Sequence, residues 1–242
     1  IKKYKLKCDL QKQDSLFLGI GESGKKAVHE EARAREKLGF PYTLYDKKNL
    51  KSVNTGKDYT AGIQYSGTYG INSLLYAQEL KAVLLKLGAK IYESTEVMSI
   101  EGHTAKTHLG SVTAENIIVS IDKMKPKFKP VTRETYHAQT FLAISEPLER
   151  EDIKAMLPGK NVMCWDSKLV YTYYRLTGDH RLLVGGGSAL TTFSPMDVTS
   201  PSVINKVINS LKIRFPVLEH VEFIQYWPGR IDTTKDLIPI VD

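Results

Sequence analysis

The feature that most constrains this chain is a double change of pattern along its length. Residues 5–70 and 131–227 carry short apolar runs of period near two, separated by Gly, Pro and polar breaks, as strands do. Residues 71–130 open instead with a helix and continue as a tight meander. The helix is capped by Asn72 or Ser73, striped by Leu74, Ala77, Leu80, Leu84 and Leu87, and closed by Gly88. Short runs at 90–93, 96–101, 104–107, 111–114 and 116–121 follow, with Gly102 and Gly110 at turns. A chain that leaves a β-rich pattern and returns to it builds one discontinuous unit with another inserted. The expected fold is therefore α+β: a mixed, mainly antiparallel sheet with helices from residues 1–70 and 131–232. Residues 71–130 and 233–242 are assigned to a second unit.

Finer reading places a strand, turn and strand over 5–20, a helix over 23–38 closed by Gly39, and a short helix capped by Asp46 and ending at Val53. Further strands are expected at 136–144, 162–165, 169–176, 181–185 and 221–227. Pro201 introduces a helix over 202–215, and residues 123–130 form a basic connector.

Composition narrows the function classes. At 42% hydrophobic and 25% charged, 242 residues can bury a real core in one or two domains, which excludes a disordered chain or a disulfide-stapled miniprotein. No apolar run approaches the roughly 18 residues of a membrane helix. The net charge of +7 is scattered in small knots at 1–7, 46–57 and 122–129. A nucleic-acid binder gathers its base into a stripe interleaved with aromatics, so a solvated basic surface is expected and no nucleic-acid partner. Cys8 and Cys164 lie far apart, and the six histidines show no paired spacing, so no metal site is expected. The opening Ile1, in place of Met, points to a piece of a longer chain. The absence of a leader pattern points to the cytoplasm.

One stretch imitates a phosphate loop. Gly19-Ile20-Gly21-Glu22-Ser23-Gly24 follows an apolar strand and opens a helix, and Asp46 stands 22 residues beyond Gly24, as in a dinucleotide fingerprint. Lys26 stands where a P-loop needs Ser or Thr. The helix that follows is densely charged, and Pro41 cannot donate within a central parallel ladder. A glycine-rich turn before a solvated helix is the expectation, and a nucleotide-binding protein using Gly19–Gly24 the alternative.

The most specific stretch is Val170-Tyr171-Thr172-Tyr173-Tyr174-Arg175-Leu176, continuing through Thr177-Gly178-Asp179-His180-Arg181 to Leu182-Leu183-Val184-Gly185-Gly186-Gly187. It resembles a hairpin of the D-amino-acid-oxidase-like family of FAD-dependent amine and amino-acid oxidoreductases, nearest its gamma-glutamylputrescine oxidase branch. Cys8-Asp9-Leu10, Gly88 through Glu93, Leu109 through Val119, Phe215-Pro216 and Trp227 through Asp236 resemble the family's segments in the same order. The likeness spans essentially the whole chain and implies its middle portion, with the nucleotide-binding fingerprint upstream of Ile1.

The resemblance implies FAD as cofactor and a small-molecule amine or amino acid as substrate, oxidised at its C–N bond by hydride transfer. Residues 1–70 and 131–232 become a substrate-binding domain, and 71–130 with 233–242 part of an FAD-binding domain. Period-two alternation sets Tyr171, Tyr173 and Arg175 on one strand face, and by resemblance these face the substrate. Arg230 is the other substrate-binding candidate, although the family's carboxylate-binding Arg falls at Ile231 in this register. Val97, Ser120, Ile121 and Gly229 are implied on the cofactor side. Trp165 and Trp227 are expected in the core. Without its upstream motif, this piece is expected to bind FAD weakly or not at all and to be inactive alone. A non-enzymatic binding or scaffold domain of the same fold is the alternative, and the oligomeric state stays open.

Overall fold

A computed structural model describes residues 1–121, 135–187, 200–234, 236 and 238. In chain order its elements are β1 (Gln11–Lys12), β2 (Asp14–Ile20), α1 (Gly21–Lys37), β3 (Thr43–Asp46), β4 (Tyr59–Tyr65), β5 (Tyr69–Gly70) and α2 (Ser73–Lys86). There follow β6 (Val97–Glu101), β7 (Thr104–Thr107), β8 (Gly110–Thr113), β9 (Thr135–Pro147), α3 (Arg150–Met156) and β10 (Val162–Asp166). The last are β11 (Tyr173–Leu176), β12 (Arg181–Gly186), α4 (Pro201–Arg214) and β13 (Phe223–Thr234). The expected connector at 123–130 lies outside the described residues.

Eight strands form one sheet in the order β13-β9-β12-β11-β10-β2-β4-β3. Every pairing is antiparallel except β2 with β10, which run parallel from Val162 opposite Asp14 to Asp166 opposite Leu18. The fold is thus the expected α+β, a mixed and mainly antiparallel sheet with helices.

Alternation divides the two faces sharply. Leu16, Leu18, Phe141, Ala143, Cys164, Tyr174 and Val184 are buried on one face, packed in one cluster with Val203, Ile204, Val207 and Leu211 of α4 and Met156 of α3. Among the described residues the opposite face is covered at one end, where Val28 and Ala32 of α1 meet Ala61 and Ile63 of β4. Beyond α1, Thr140, Leu142, Trp165, Tyr173 and Leu183 stay half-buried. That half-open face positions the candidate site.

Several expectations give way. Residues 5–8 form no strand, because Lys5 and Asp9 take left-handed backbone at φ 51° and 50° and turn the chain at both ends. The runs at 90–93 and 116–121 find no partner strand among the described residues, and Tyr92 and Ile118 stand 67% and 87% exposed. Among the described residues of that region β6, β7 and β8 pair. The α2 stripe is likewise uncovered: no residue of the helix is buried. β13 continues through Pro228 to Thr234, past the expected end, because it is an edge strand where a missing N–H costs no ladder bond. The short α3 was not anticipated.

The glycine fingerprint serves packing. β4 lies between β2 and β3 and runs antiparallel to both, so β2–α1–β3 is not an adjacent parallel unit. A Cβ on Gly19 would come within 2.6 Å of the Gly24 carbonyl carbon and oxygen. Ile20 N donates to Ser167 Oγ at 3.0 Å, and Thr60 Oγ1 donates to Gly21 O at 2.8 Å. Asp46 accepts from Lys48 N and Asn49 N at 2.8 and 2.7 Å, capping a turn. The glycines let α1 close onto β2, as the expected glycine-rich turn would, and the acid that the alternative reading set against a ribose holds its own loop.

Candidate active site

The half-open face carries a cleft of about 710 Å³ lined by Phe17, Thr140, Trp165, Asp166, Ser167, Lys168, Tyr171, Tyr173 and Ile231. Strand register assembles it. Phe17 lies opposite Trp165 across the parallel pair, and Trp165 lies opposite Tyr173. Thr140 and Ile231 come from β9 and β13. Residues separated by long stretches of chain thus meet because each is the same-face residue of its strand.

Aromatic contacts fix one wall. Phe17 and Trp165 stack with ring centres 5.8 Å apart and planes at 22°, and Tyr65 meets Trp165 edge-on at 5.8 Å. The Arg35 guanidinium lies 3.4 Å from the Tyr65 ring centre and is held by Glu31 at 2.7 Å, buttressing that wall from α1. On the other side, the Tyr171 and Tyr173 rings lie 5.7 Å apart. Tyr173 rests on its cross-strand partner Gly185, where a Cβ would collide with the phenol ring. Burial pushes the Tyr173 phenol above its usual value, against a hydrogen bond with Thr140 that lowers it. Tyr171 stays half-exposed at the rim, able to offer its hydroxyl to a ligand.

Beneath the cleft, Asp166 is buried and its Oδ2 accepts from Arg214 Nη1 at 3.1 Å. Lys168 is the cationic lining residue among those described. On the opposite face of β10 and β11, Asn54 Nδ2 donates to Tyr174 OH at 2.8 Å and to Cys164 Sγ at 3.5 Å. Burial pushes the Cys164 thiol up to about 12 and the Tyr174 phenol well above its usual value. Both groups are neutral and structural at neutral pH.

The sequence-selected residues are placed unevenly. Tyr171 and Tyr173 come together in the cleft. Arg175 is on the same strand but does not line it: Nη2 donates to Ile71 O at 3.0 Å and Nη1 to Leu176 O at 3.2 Å. Burial lowers its pKa, opposed by the Asp9 charge. Arg230 is opposite Gln139 in the ladder and alternates with Ile231, so it lies on the other face from the cleft while Ile231 lines it. Gly229 shares the cleft side, its carbonyl accepting from Thr140 Oγ1 at 3.4 Å. Val97 lines a separate depression of about 420 Å³ with Thr95, Ala105 and Thr107, and Ser120 and Ile121 are exposed. Trp165 is a correction: expected in the core, it is a half-buried wall of the cleft. Trp227 is 36% exposed, also outside the core. Phe17, Thr140, Ser167 and Lys168 were missed, since no local motif marks them. Among the described residues no cluster of His, Cys, Asp and Glu is arranged for a metal, and no helix is long and apolar enough to cross a membrane.

Comparisons with known proteins agree with this architecture. The chain is 27% identical over 252 residues to a probable oxidoreductase, OrdL, of Haemophilus influenzae, covering 99% of this chain and 56% of that protein. It is 27% identical over 249 residues to the gamma-glutamylputrescine oxidoreductase of Escherichia coli, with the same coverage. The chain therefore spans 56% of the length of these curated relatives. Glycine oxidase from Geobacillus kaustophilus superposes with a TM-score of 0.83 at 16% identity, over 98% of this chain and 65% of that one. L-Proline dehydrogenase from P. horikoshii superposes at 0.76 with 17% identity, over 97% and 64%. At such identities the likeness is one of fold. The family described as FAD dependent oxidoreductase, DAO, matches residues 1–242, and the chain belongs to it.

Proposed function

We propose that the protein containing this chain oxidises the C–N bond of a small amine or amino acid, and that the aromatic cleft is where the reacting carbon is held. The observation that carries the reading is the cleft itself. Five strands contribute to, or border through the β10–β11 loop, an open pocket walled by flat rings and edged by phenols, on the sheet face that among the described residues no helix covers beyond α1. Flat apolar walls suit a planar ring system stacked with a small substrate, so the residues present fit a flavin. When bound, FAD supplies the two-electron acceptor. The chain's own task is to bind and orient the substrate and to keep water away. Tyr171 donates its hydroxyl to a polar group of the substrate, Tyr173 supplies a wall, and Arg175 ties β11 to the Ile71 carbonyl.

The domain division belongs to the same proposal. Residues 1–70 and 131–232 form the substrate-binding domain, and 71–130 with 233–242 part of the FAD-binding domain. The exposed leucines of α2 and the runs at 90–93 and 116–121, which have no partner strand among the described residues, support it, since such apolar segments are buried when a neighbouring sheet pairs with them. Val97, Ser120, Ile121 and Gly229 are the cofactor-side residues, and the cytoplasm is the proposed location.

The test is Tyr171→Phe in the full-length protein. It keeps the ring and removes one donor, worth about 1.5–3 kcal/mol toward a charged partner and about 0.5–1.5 kcal/mol toward a neutral one. A drop in kcat/KM on the order of 10- to 100-fold is expected at the charged end, with FAD content and melting temperature unchanged. Wild-type kcat/KM with the best amine substrate removes Tyr171 from the site.

A further inference from the structure

The loop between β10 and β11 carries Lys168 and Tyr171 to the rim of the cleft, and it is closed from below by a single side chain. Asp166 Oδ1 accepts from Lys168 N at 3.1 Å and from Thr172 N at 3.3 Å, gripping both ends of the loop. The backbone adds Asp166 N donating to Thr172 O at 3.1 Å, and Ser167 N donating to Leu18 O at 2.9 Å. The other carboxylate oxygen, Oδ2, faces Arg214 at the C-terminal end of α4. The side chains of Asp166 and Arg214 are 0% and 5% exposed, and Arg214 Nε has no hydrogen-bond partner among the described residues. Arg214 also lies 5.2 Å from the Tyr59 ring centre, and its carbonyl accepts from Lys57 N at 3.0 Å.

A buried pair of this kind is a poor means of stabilising a core, because two desolvated charges gain little over well-packed apolar side chains. This one is not even fully satisfied. What it does supply is geometry: three acceptor contacts at one carboxylate, two of them to the loop bearing the cleft's hydroxyl and its ammonium. We propose that the Asp166–Arg214 pair is a positioning device for the substrate site, fixing the loop of residues 167–172 and with it Tyr171 and Lys168. Asp166 does not touch the substrate; it acts through Tyr171. The proposal rests on the reading of the cleft as the substrate site.

The test uses the full-length protein with its cofactor. Asp166→Asn leaves one acceptor oxygen to serve both the loop amides and Arg214. In hydrogen exchange, the amides of Lys168 and Thr172 should exchange about tenfold faster or more, as loss of one charge-assisted bond implies, while the β11–β12 ladder keeps its protection. Arg214→Lys, which still neutralises the carboxylate, should leave the loop protected. Should Asp166→Asn not fold, Arg214→Gln interrogates the same contact from α4 with the same expected loop exchange. With amine substrate, Asp166→Asn should raise KM more than it lowers kcat, and its effect should largely vanish in a Tyr171→Phe background. Unchanged loop exchange overturns the proposal, as does an equal rise in loop and ladder, which marks general destabilisation. Faster loop exchange with kinetics indifferent to both Asp166→Asn and Tyr171→Phe overturns the link to substrate, and the failure then lies with the reading of the cleft.

Discussion

Gly185 is the most demanding small residue under the candidate site, and Gly185→Ala tests how Tyr173 is held. Tyr173 and Gly185 are paired across β11 and β12, and the added Cβ would collide with the phenol ring. The glycine is there for space, because its backbone lies outside the left-handed region. Overpacking of a fitted site costs about 1–3 kcal/mol. The substitution regains about 0.4–1 kcal/mol by restricting the unfolded chain. A net destabilisation between about 0 and 2.6 kcal/mol is expected from those two effects. The assay is equilibrium urea unfolding of wild type, Gly185→Ala, Tyr173→Ala and the double variant, read at constant m-value. Removing the ring empties the space the methyl needs, so the double variant should be no less stable than Tyr173→Ala alone. The coupling should then equal the overpacking relieved, about 1–3 kcal/mol, within the range for residues in contact. Additive costs would falsify the account of Tyr173 as a ring seated on a bare backbone.

Other outcomes follow from the same contacts. Gly19→Ala should cost about 1–3 kcal/mol, since its Cβ would meet the backbone of α1 and not a flexible side chain, and the FAD content of the full-length protein should be unaffected; loss of cofactor with unchanged stability would restore a phosphate-binding role. Burial holds the Cys164 thiol protonated up to about pH 12, against an ordinary 9.0, so between those values the folded state binds a proton that the unfolded state has lost. Stability should therefore fall as pH rises from about 9, and Cys164→Ser should flatten the onset. The slope that remains belongs to the tyrosines whose burial raises their pKa values above 10.0, Tyr59, Tyr174 and Tyr173 among them. Urea midpoints measured between neutral pH and about pH 10.5 read the difference, and identical slopes would exclude Cys164 as its source.

Local chemistry was legible where a few neighbouring residues suffice to satisfy the backbone. α1 ends as its glycine requires, with Gly39 at φ 72° and Phe40 N donating to Arg35 O at 2.9 Å. α2 begins at its cap, with Asn72 Oδ1 accepting from Leu75 N at 3.1 Å. The hairpin of β11 and β12 pairs through a turn in which Thr177 Oγ1 donates to Asp179 Oδ1 at 2.6 Å and accepts from Arg181 N at 3.0 Å. The alternation in these strands was visible too, and it correctly separates Tyr173 and Arg175 from Tyr174 and Leu176.

Alternation names two faces without saying which is covered. That depends on partners distant in sequence, and it is why Trp165 reads as core until β2 and β10 are laid parallel and Phe17 is found beside it. It is also why Arg230 and Ile231 exchange importance, since a shift of one residue reverses the face of each. Arg175 keeps the face its spacing predicts, yet its long side chain turns to the carbonyl of Ile71, an acceptor that only the tertiary fold brings near. The glycine fingerprint is the sharpest case. The same glycines serve a phosphate or a helix crossing, because both need backbone without a Cβ, and only the antiparallel β4 between β2 and β3 decides for the crossing. The sequence by itself determined the caps, the hairpin, the alternation and the family. Strand order and register, fixed by contacts spanning most of the chain, decided which of those residues share a cleft.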